Sequence, residues 1–181
     1  MKHICIFTSS HSDVDEVYIK AAEELGAALG KNGFSMIFGG TNSGLMSITA
    51  SAVQQHGGQV IAVMLKDTES EGTVYQAADE IVYCSSIRER KRIMEERSDG
   101  FICFPGGLGT LDELAEVLTL KQKSYISKPI VILNISGYYN PLLLQFEKAY
   151  EEHFIRKSDC ELYYVAATVE DALKYLKQLD C

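Results

Sequence analysis

Pro105-Gly106-Gly107-Leu108-Gly109-Thr110-Leu111-Asp112-Glu113 joins an apolar segment to an amphipathic one through a glycine-rich turn. Residues 100–104, just before it, have the composition of a buried strand. After it, apolar residues recur at helical spacing, at Leu111, Leu114, Ala115 and Leu118. Glycines let backbone N–H groups approach a ligand closely, and the start of a helix favours negative charge. The stretch therefore predicts a strand, a turn that binds an anion such as phosphate, and a helix.

Strand and helix patterns alternate on both sides of this turn. The predicted strands are residues 4–8, 34–38, 60–64, 80–84, 100–104, 129–133 and 163–166. The predicted helices are residues 14–29, capped by Ser12 or Asp13, then 45–55, 87–97, the helix after the turn, 141–152 and 168–179. This order predicts an α/β fold in which residues 1–181 form a single domain, a doubly wound parallel sheet with helices on both faces.

Composition limits the classes of partner and compartment. The chain has 181 residues, with 17 Lys and Arg against 25 Asp and Glu. The resulting charge of −8 opposes binding to a nucleic acid polymer or to an anionic membrane. Apolar segments have only the length of strands and no signal peptide precedes the first one, so we expect a cytoplasmic protein without a membrane span.

The five cysteines show no C-x-x-C pair and no His/Cys metal spacing. Cys5 and Cys103 lie inside apolar segments, where reduced and buried thiols are common. We therefore expect no disulfide, no structural metal and no cofactor.

Ligands of such sheets gather at the carboxyl ends of the strands. Three loops follow predicted strands there: Ser9-Ser10, residues 39–44 and residues 105–110. Neither glycine loop has a P-loop lysine, and no G-x-G-x-x-G follows the first strand, which disfavours dinucleotide redox chemistry. For residues 39–44 alone, the alternative explanation of the glycines is a sharp turn from strand to helix.

Glu113 has two interpretations. Thr110-Leu111-Asp112-Glu113 fits a capping box, in which threonine and glutamate bond the first N–H groups of a helix. Alternatively, Glu113 is a catalytic carboxylate beside the anion site, and its place in the first helical turn would favour ionisation. Glutamine can cap a helix but carries no charge, so a Glu113→Gln variant separates the two interpretations.

The basic cluster Arg88-Glu89-Arg90-Lys91-Arg92 follows an apparent strand. Its cations could contact a phosphate or a leaving group. Its ordinary explanation is a solvated helix face, on which Lys91 and Arg92 pair with Glu95 and Glu96 one turn later.

Together these segments resemble the LONELY GUY family, whose members release a base from a nucleoside 5′-monophosphate and are often labelled possible lysine decarboxylases. The most specific motif is P-G-G-x-G-T-x-x-E at residues 105–113. Further matches are Ser9-Ser10, Gly39-Gly40, Gly44-Leu45-Met46, Glu89-Arg90-Lys91 with Met94, Ser98-Asp99, residues 116–119, Lys128-Pro129, Leu133-Asn134 and Gly137-Tyr138-Tyr139.

The resemblance implies a Rossmann-like fold, a homodimer and a nucleoside 5′-monophosphate substrate. It places Arg90 and Glu113 at the catalytic positions. The substrate-binding positions that it implies are Ser10, Gly39, Gly40, Gly44, Met46, Lys91, Gly106, Gly107, Leu108, Gly109 and Thr110.

Several residues depart from the family pattern, namely Thr41, Ser47, Leu65, Arg88, Leu120 and Ile126. They leave the turn and the Arg90/Glu113 pair in place. They therefore affect the identity of the base more than the type of reaction, and a cytokinin is one candidate base. The hypothesis is N-glycosidic hydrolysis to a free base and ribose 5-phosphate. The turn would hold the phosphate, Glu113 would stabilise the ribosyl cation or position water, and Arg90 would act as a fixed cation. The alternative is a nucleotide or cofactor carrier that uses the same fold without catalysis.

Overall fold

Seven parallel strands form the central sheet of the computed structural model, which describes residues 2–67, 72–156, 159 and 161–178. Their bounds are β1 Lys2–Phe7, β2 Phe34–Phe38, β3 Val60–Leu65, β4 Glu80–Cys84, β5 Gly100–Cys103, β6 Ile130–Leu133 and β7 Tyr164–Ala166. The spatial order is β4-β3-β2-β1-β5-β6-β7, and every neighbouring pair runs parallel. The predicted α/β sheet is confirmed.

The described residues form six α-helices, of which the first five connect strands and the last follows β7: α1 Glu16–Lys31, α2 Gly44–Gln55, α3 Ile87–Arg97, α4 Leu108–Gln122, α5 Asn140–Glu151 and α6 Val169–Gln178. The predicted cap of α1 is wrong. Asp15, rather than Ser12 or Asp13, accepts a 3.0 Å hydrogen bond from the N–H of Val17, because the helix begins only at Glu16. Residues 68–71 and the predicted helix end at Leu179 lie outside the described residues.

The helices cover both faces of the sheet, as predicted. Successive residues of β1 point to opposite faces: Ile4 and Ile6 pack with α1, α2 and α6, whereas Cys5 and Phe7 pack with α3, α4 and α5. Because the strands are buried on both faces, they are continuous apolar runs rather than alternating ones.

The chain direction across the sheet reverses between β1 and β5. From β1 the chain adds β2, β3 and β4 on one side, and it then returns to add β5, β6 and β7 on the other. A crevice opens at such a reversal, beyond the carboxyl ends of the two central strands. The Thr8 hydroxyl donates to the Pro105 carbonyl across it at 3.0 Å, which brings the first and third predicted loops together.

Burial of Cys5 and Cys103 is confirmed, and Cys84 is a third buried free thiol. Cys160 and Cys181 lie outside the described residues. Within the part of the chain that the structure describes, no helix has the length and apolarity that a membrane span requires.

Candidate active site

A cavity of about 200 Å³ occupies the crevice between β1 and β5. Its lining includes eight of the residues predicted for the site: Ser10, Met46, Arg90, Gly107, Leu108, Gly109, Thr110 and Glu113. It also includes Thr8, Ser9 and His11. Thr8 and His11 were missed, although both adjoin the Ser9-Ser10 loop and extending that loop by one residue at each end would have found them.

Helix α4 begins two residues before the Thr110 cap that the capping box requires. Gly107 is its N-cap, no side chain bonds the first N–H groups, and the first helical bond runs from the Leu111 N–H to the Gly107 carbonyl at 3.1 Å. The capping-box interpretation is therefore wrong. The N–H groups of residues 108–110 have no partner inside the helix and lie at the cavity.

Two kinds of glycine make up the turn. A Cβ atom on Gly106 would lie 2.1 Å from the Thr110 hydroxyl oxygen, so this glycine allows the chain to fold tightly into α4. A Cβ on Gly107 or Gly109 would meet no atom within 4 Å. Packing alone does not require these two glycines, and their open side is where a ligand can approach the backbone.

The predicted glycines that precede and begin α2 are packing residues. Gly44 has φ +58°, and a Cβ there would lie 2.4 Å from the backbone of Ser10. This close approach lets the Met46 N–H donate to the Ser9 carbonyl at 3.1 Å. A Cβ on Gly40 would lie 2.5 Å from the Met64 side chain. Gly40 and Gly44 do not line the cavity but hold its wall in place.

Arg90 is fixed by two backbone carbonyls. Its Nε donates to Val63 at 2.8 Å and its Nη2 to Gly39 at 2.9 Å. Glycine at position 39 lets Arg90 keep this place, since a Cβ there would lie 1.8 Å from Nη2 and displace the guanidinium. The remaining nitrogen, Nη1, lies 3.7 Å from Oε1 of Glu113. Arg90 therefore places one guanidinium nitrogen near the carboxylate while its other two nitrogens are held by the backbone.

Glu113 lies in the second turn of α4 and exposes only 7% of its surface. Burial raises the pKa of its carboxyl to about 7, Arg90 opposes that rise, and Asp112 adds to it. The prediction that a first-turn position favours ionisation is wrong, because the residue sits deeper in the helix and loss of hydration dominates. A carboxyl with this pKa changes its charge near neutral pH, as catalytic acids and bases commonly do.

We expect an acid limb near pH 7 in the pH profile of kcat/KM, with activity falling as pH decreases and Glu113 is protonated. The profile should be measured from pH 5 to 9. Phosphate monoesters titrate at about pH 6, so binding of ribose 5-phosphate over the same range is the control. A profile that stays flat between pH 5 and 8 would contradict an ionised Glu113.

Lys91 does not line the cavity. Its ammonium bonds Asp112 at 3.0 Å and also pairs with Glu116, and these carboxylates raise its pKa. Instead of pairing along its own helix, Lys91 joins α3 to α4, the helices that carry Arg90 and Glu113. The other predicted pair, Arg92 with Glu96, is present at 2.9 Å on the exposed helix face.

Comparisons with known proteins agree with this architecture. A family model described as possible lysine decarboxylase matches residues 46–176. Two curated relatives from Arabidopsis thaliana, the cytokinin riboside 5′-monophosphate phosphoribohydrolases LOG5 and LOG3, are each 35% identical to the chain. The alignments cover 97% and 98% of this chain and 77% and 82% of the relatives. Among solved structures, the molybdenum cofactor binding protein of Rippkaea orientalis superposes with a TM-score of 0.76 at 23% identity, covering 100% of this chain and 99% of that one. The structural likeness establishes the fold.

Proposed function

The chain belongs to the LONELY GUY family, whose model is described as possible lysine decarboxylase, and we propose that it hydrolyses the N-glycosidic bond of a nucleoside 5′-monophosphate. The products are a free base and ribose 5-phosphate. The observation that carries this proposal is a single cavity that combines a helix start without a side-chain cap and the pair of partly buried Arg90 and buried Glu113.

The start of α4 binds the 5′-phosphate. Three N–H groups, those of residues 108–110, are free of helical bonds, and the helix dipole adds positive potential. The open sides of Gly107 and Gly109 give the phosphate oxygens access to this backbone. Binding energy from the phosphate, remote from the bond that breaks, then orients the sugar for reaction.

Glu113 acts on the sugar once the phosphate is held. As the C1′–N bond lengthens, positive charge develops on the ribosyl ring, and the carboxylate stabilises it or positions water for attack. Water forms the new bond to C1′ and releases a proton, while the base leaves with the electron pair of the old bond and takes up a proton from water. Arg90 keeps its charge throughout, because a guanidinium scarcely deprotonates, so it stabilises negative charge rather than donating a proton.

A decarboxylase that uses pyridoxal phosphate needs a lysine to hold that cofactor as a Schiff base. Within the described residues, no lysine lines the cavity. Lys91, on the same helix as Arg90, is bonded to two carboxylates instead. These contacts favour the hydrolase over the chemistry that the family description names.

A panel of nucleoside monophosphates, nucleosides and triphosphates tests the proposal when released base and ribose 5-phosphate are both measured. Monophosphates should be cleaved with the highest kcat/KM. Cytokinin riboside monophosphates belong in the panel because the proposal does not specify the base. Tight binding without release would instead favour a carrier. Release of carbon dioxide from lysine with pyridoxal phosphate present would favour the decarboxylase.

Gly109→Ala should raise KM for a monophosphate by about tenfold or more, a loss of about 1.4 kcal/mol of binding. Position 109 is helical and its Cβ would enter open space, so the fold should tolerate alanine and α4 should gain about 0.8 kcal/mol of helix propensity. The methyl group would lie where the phosphate approaches the backbone. Steady-state kinetics measures KM, and thermal unfolding checks that the variant is folded. An unchanged KM would show that the phosphate binds elsewhere.

The active assembly in this proposal is a homodimer. None of the residues of α5 is fully buried. Leu144 in α5 exposes 63% of its surface, and Phe154, just after the helix, exposes 85%. A second copy would remove these side chains from water. Light scattering should give twice 20.1 kDa, and a monomeric mass would contradict the dimer.

The cytoplasmic location stays a prediction.

A further inference from the structure

Three side-chain hydroxyls hold three consecutive carbonyls of the glycine turn. The Tyr139 hydroxyl donates to the carbonyl of Phe104 at 2.9 Å, and the Thr8 hydroxyl donates to that of Pro105 at 3.0 Å. The Tyr138 hydroxyl donates to the next carbonyl, that of Gly106, at 2.7 Å. The backbone therefore enters α4 with each of these peptide groups fixed by a different residue.

Fixing a carbonyl also fixes the N–H group of the next residue, which applies to the carbonyls of Pro105 and Gly106 but not to that of Phe104, since Pro105 has no N–H. In a planar trans peptide, the C=O of one residue and the N–H of the next point in opposite directions, and the structure has no cis peptide among its described residues. The bond from Tyr138 to the Gly106 carbonyl therefore turns the Gly107 N–H away from Tyr138. Gly107 lies between two cavities: it lines one with Arg90 and Glu113, and it lines a neighbouring one with Tyr138.

The Tyr138 hydroxyl is held in its direction by the packing of its ring. The ring contacts Tyr139 edge to face, with centroids 4.9 Å apart, and it meets Tyr18 similarly at 5.7 Å. Tyr138 exposes 41% of its surface, so water could reach the side chain, yet its hydroxyl bonds the turn. Thr8, by contrast, is 2% exposed.

We propose that Thr8 and Tyr138 are positioning residues for phosphate recognition, whose hydroxyls hold the Pro105 and Gly106 carbonyls and so fix the backbone that leads into the free N–H groups of residues 108–110 before a ligand binds. The inference rests on the proposed function. Donors that are already oriented spare the ligand the free energy of ordering them, so their loss weakens phosphate binding more than it slows bond cleavage.

The test compares Tyr138→Phe and Thr8→Val with two matched controls. Tyr18→Phe makes the same chemical change in the ring next to Tyr138, and the Tyr18 hydroxyl makes no hydrogen bond to residues 104–110. Thr8→Ser keeps the hydroxyl that Thr8→Val removes. Calorimetry measures Kd for inorganic phosphate and ribose 5-phosphate, kinetics separates KM from kcat, and thermal unfolding checks the fold.

We expect Tyr138→Phe and Thr8→Val each to raise Kd and KM about tenfold, because the ligand must then supply the free energy of ordering the turn that one hydrogen bond had provided, with kcat much less affected. Tyr18→Phe and Thr8→Ser should behave like the wild type. Wild-type affinity in both test variants would overturn the inference while leaving the proposed function intact. Failure of the wild-type protein to bind ribose 5-phosphate would overturn the proposed function and this inference with it.

Discussion

Glu113→Gln should lower kcat for base release by about 10³-fold, within the range of a lost catalytic carboxylate, and should leave the fold intact. Glutamine has the same shape, fits the same buried position and carries no charge with which to stabilise a ribosyl cation. Because helix α4 is capped by Gly107 and not by the Thr110–Glu113 pair, the substitution removes no capping bond. The variant should therefore lose activity and keep the stability of its fold.

The stability of this variant has a definite dependence on pH. The folded-state pKa of Glu113, about 7, lies above its ordinary value of 4.5, so folding disfavours the ionised form. Wild-type protein should lose stability relative to Glu113→Gln as pH rises from 4.5 through 7, and the two should converge at lower pH. Urea unfolding at pH 5 and pH 8 measures the difference.

Asp112→Asn is the matched control, because it makes the same change one residue earlier on a side chain that is 60% exposed and outside the cavity. It should keep most of the activity. Equal losses of activity and of folding in Glu113→Gln would contradict a catalytic role and restore a structural one.

Arg90→Met should produce the second largest loss, about 10²-fold in kcat, which is typical when a fixed group that stabilises charge is removed. It should also destabilise the fold by about 1–3 kcal/mol, because the carbonyls of Val63 and Gly39 lose their donors. Without the guanidinium, the pKa of Glu113 should rise further, so the acid limb should move above pH 7.

Arg90→Lys provides the comparison. A lysine restores a positive charge but cannot bond both carbonyls while facing Glu113, since it has one nitrogen where arginine has three. It should therefore return the acid limb toward pH 7 and recover only part of kcat. If the acid limb does not move in Arg90→Met, the 3.7 Å approach of Arg90 to Glu113 has no electrostatic consequence.

The fold could be predicted because its signals are local. Residues 34–38 and 87–97 were assigned correctly from apolar runs, helical spacing and turn residues, since these patterns directly reflect which face of each element is buried. Resemblance to a family placed Arg90 and Glu113 together, and the structure brings their side chains to 3.7 Å. Their chemical roles stay predictions.

The protonation of Glu113 could not be predicted from its neighbours in sequence. Thr110-Leu111-Asp112-Glu113 matches a capping box, but the contact of Gly106 with Thr110 lets the helix start earlier. A carboxyl expected in the first turn thus lies in the second, where burial controls its pKa. Helix-end rules describe one segment, whereas burial depends on the whole fold.

The contacts of the hydroxyls that hold the turn could not be predicted from sequence either, although Tyr138 lies in a family match and Thr8 adjoins the Ser9-Ser10 loop. Thr8 lies 97 residues from Pro105, and Tyr138 lies 32 residues from Gly106. Only the sheet order, which sets β5 between β1 and β6, brings these segments together. The contact of Lys91 with α4 has the same origin, because it depends on how two helices pack on one face of the sheet.

A crystal structure of Glu113→Gln with a bound nucleoside 5′-monophosphate would test the central claim most directly. The phosphate oxygens should lie about 3 Å from the N–H groups of residues 108–110, and the C1′ atom should face the side chain at position 113. A phosphate bound away from the start of α4, or a sugar turned with C1′ away from position 113, would contradict the account.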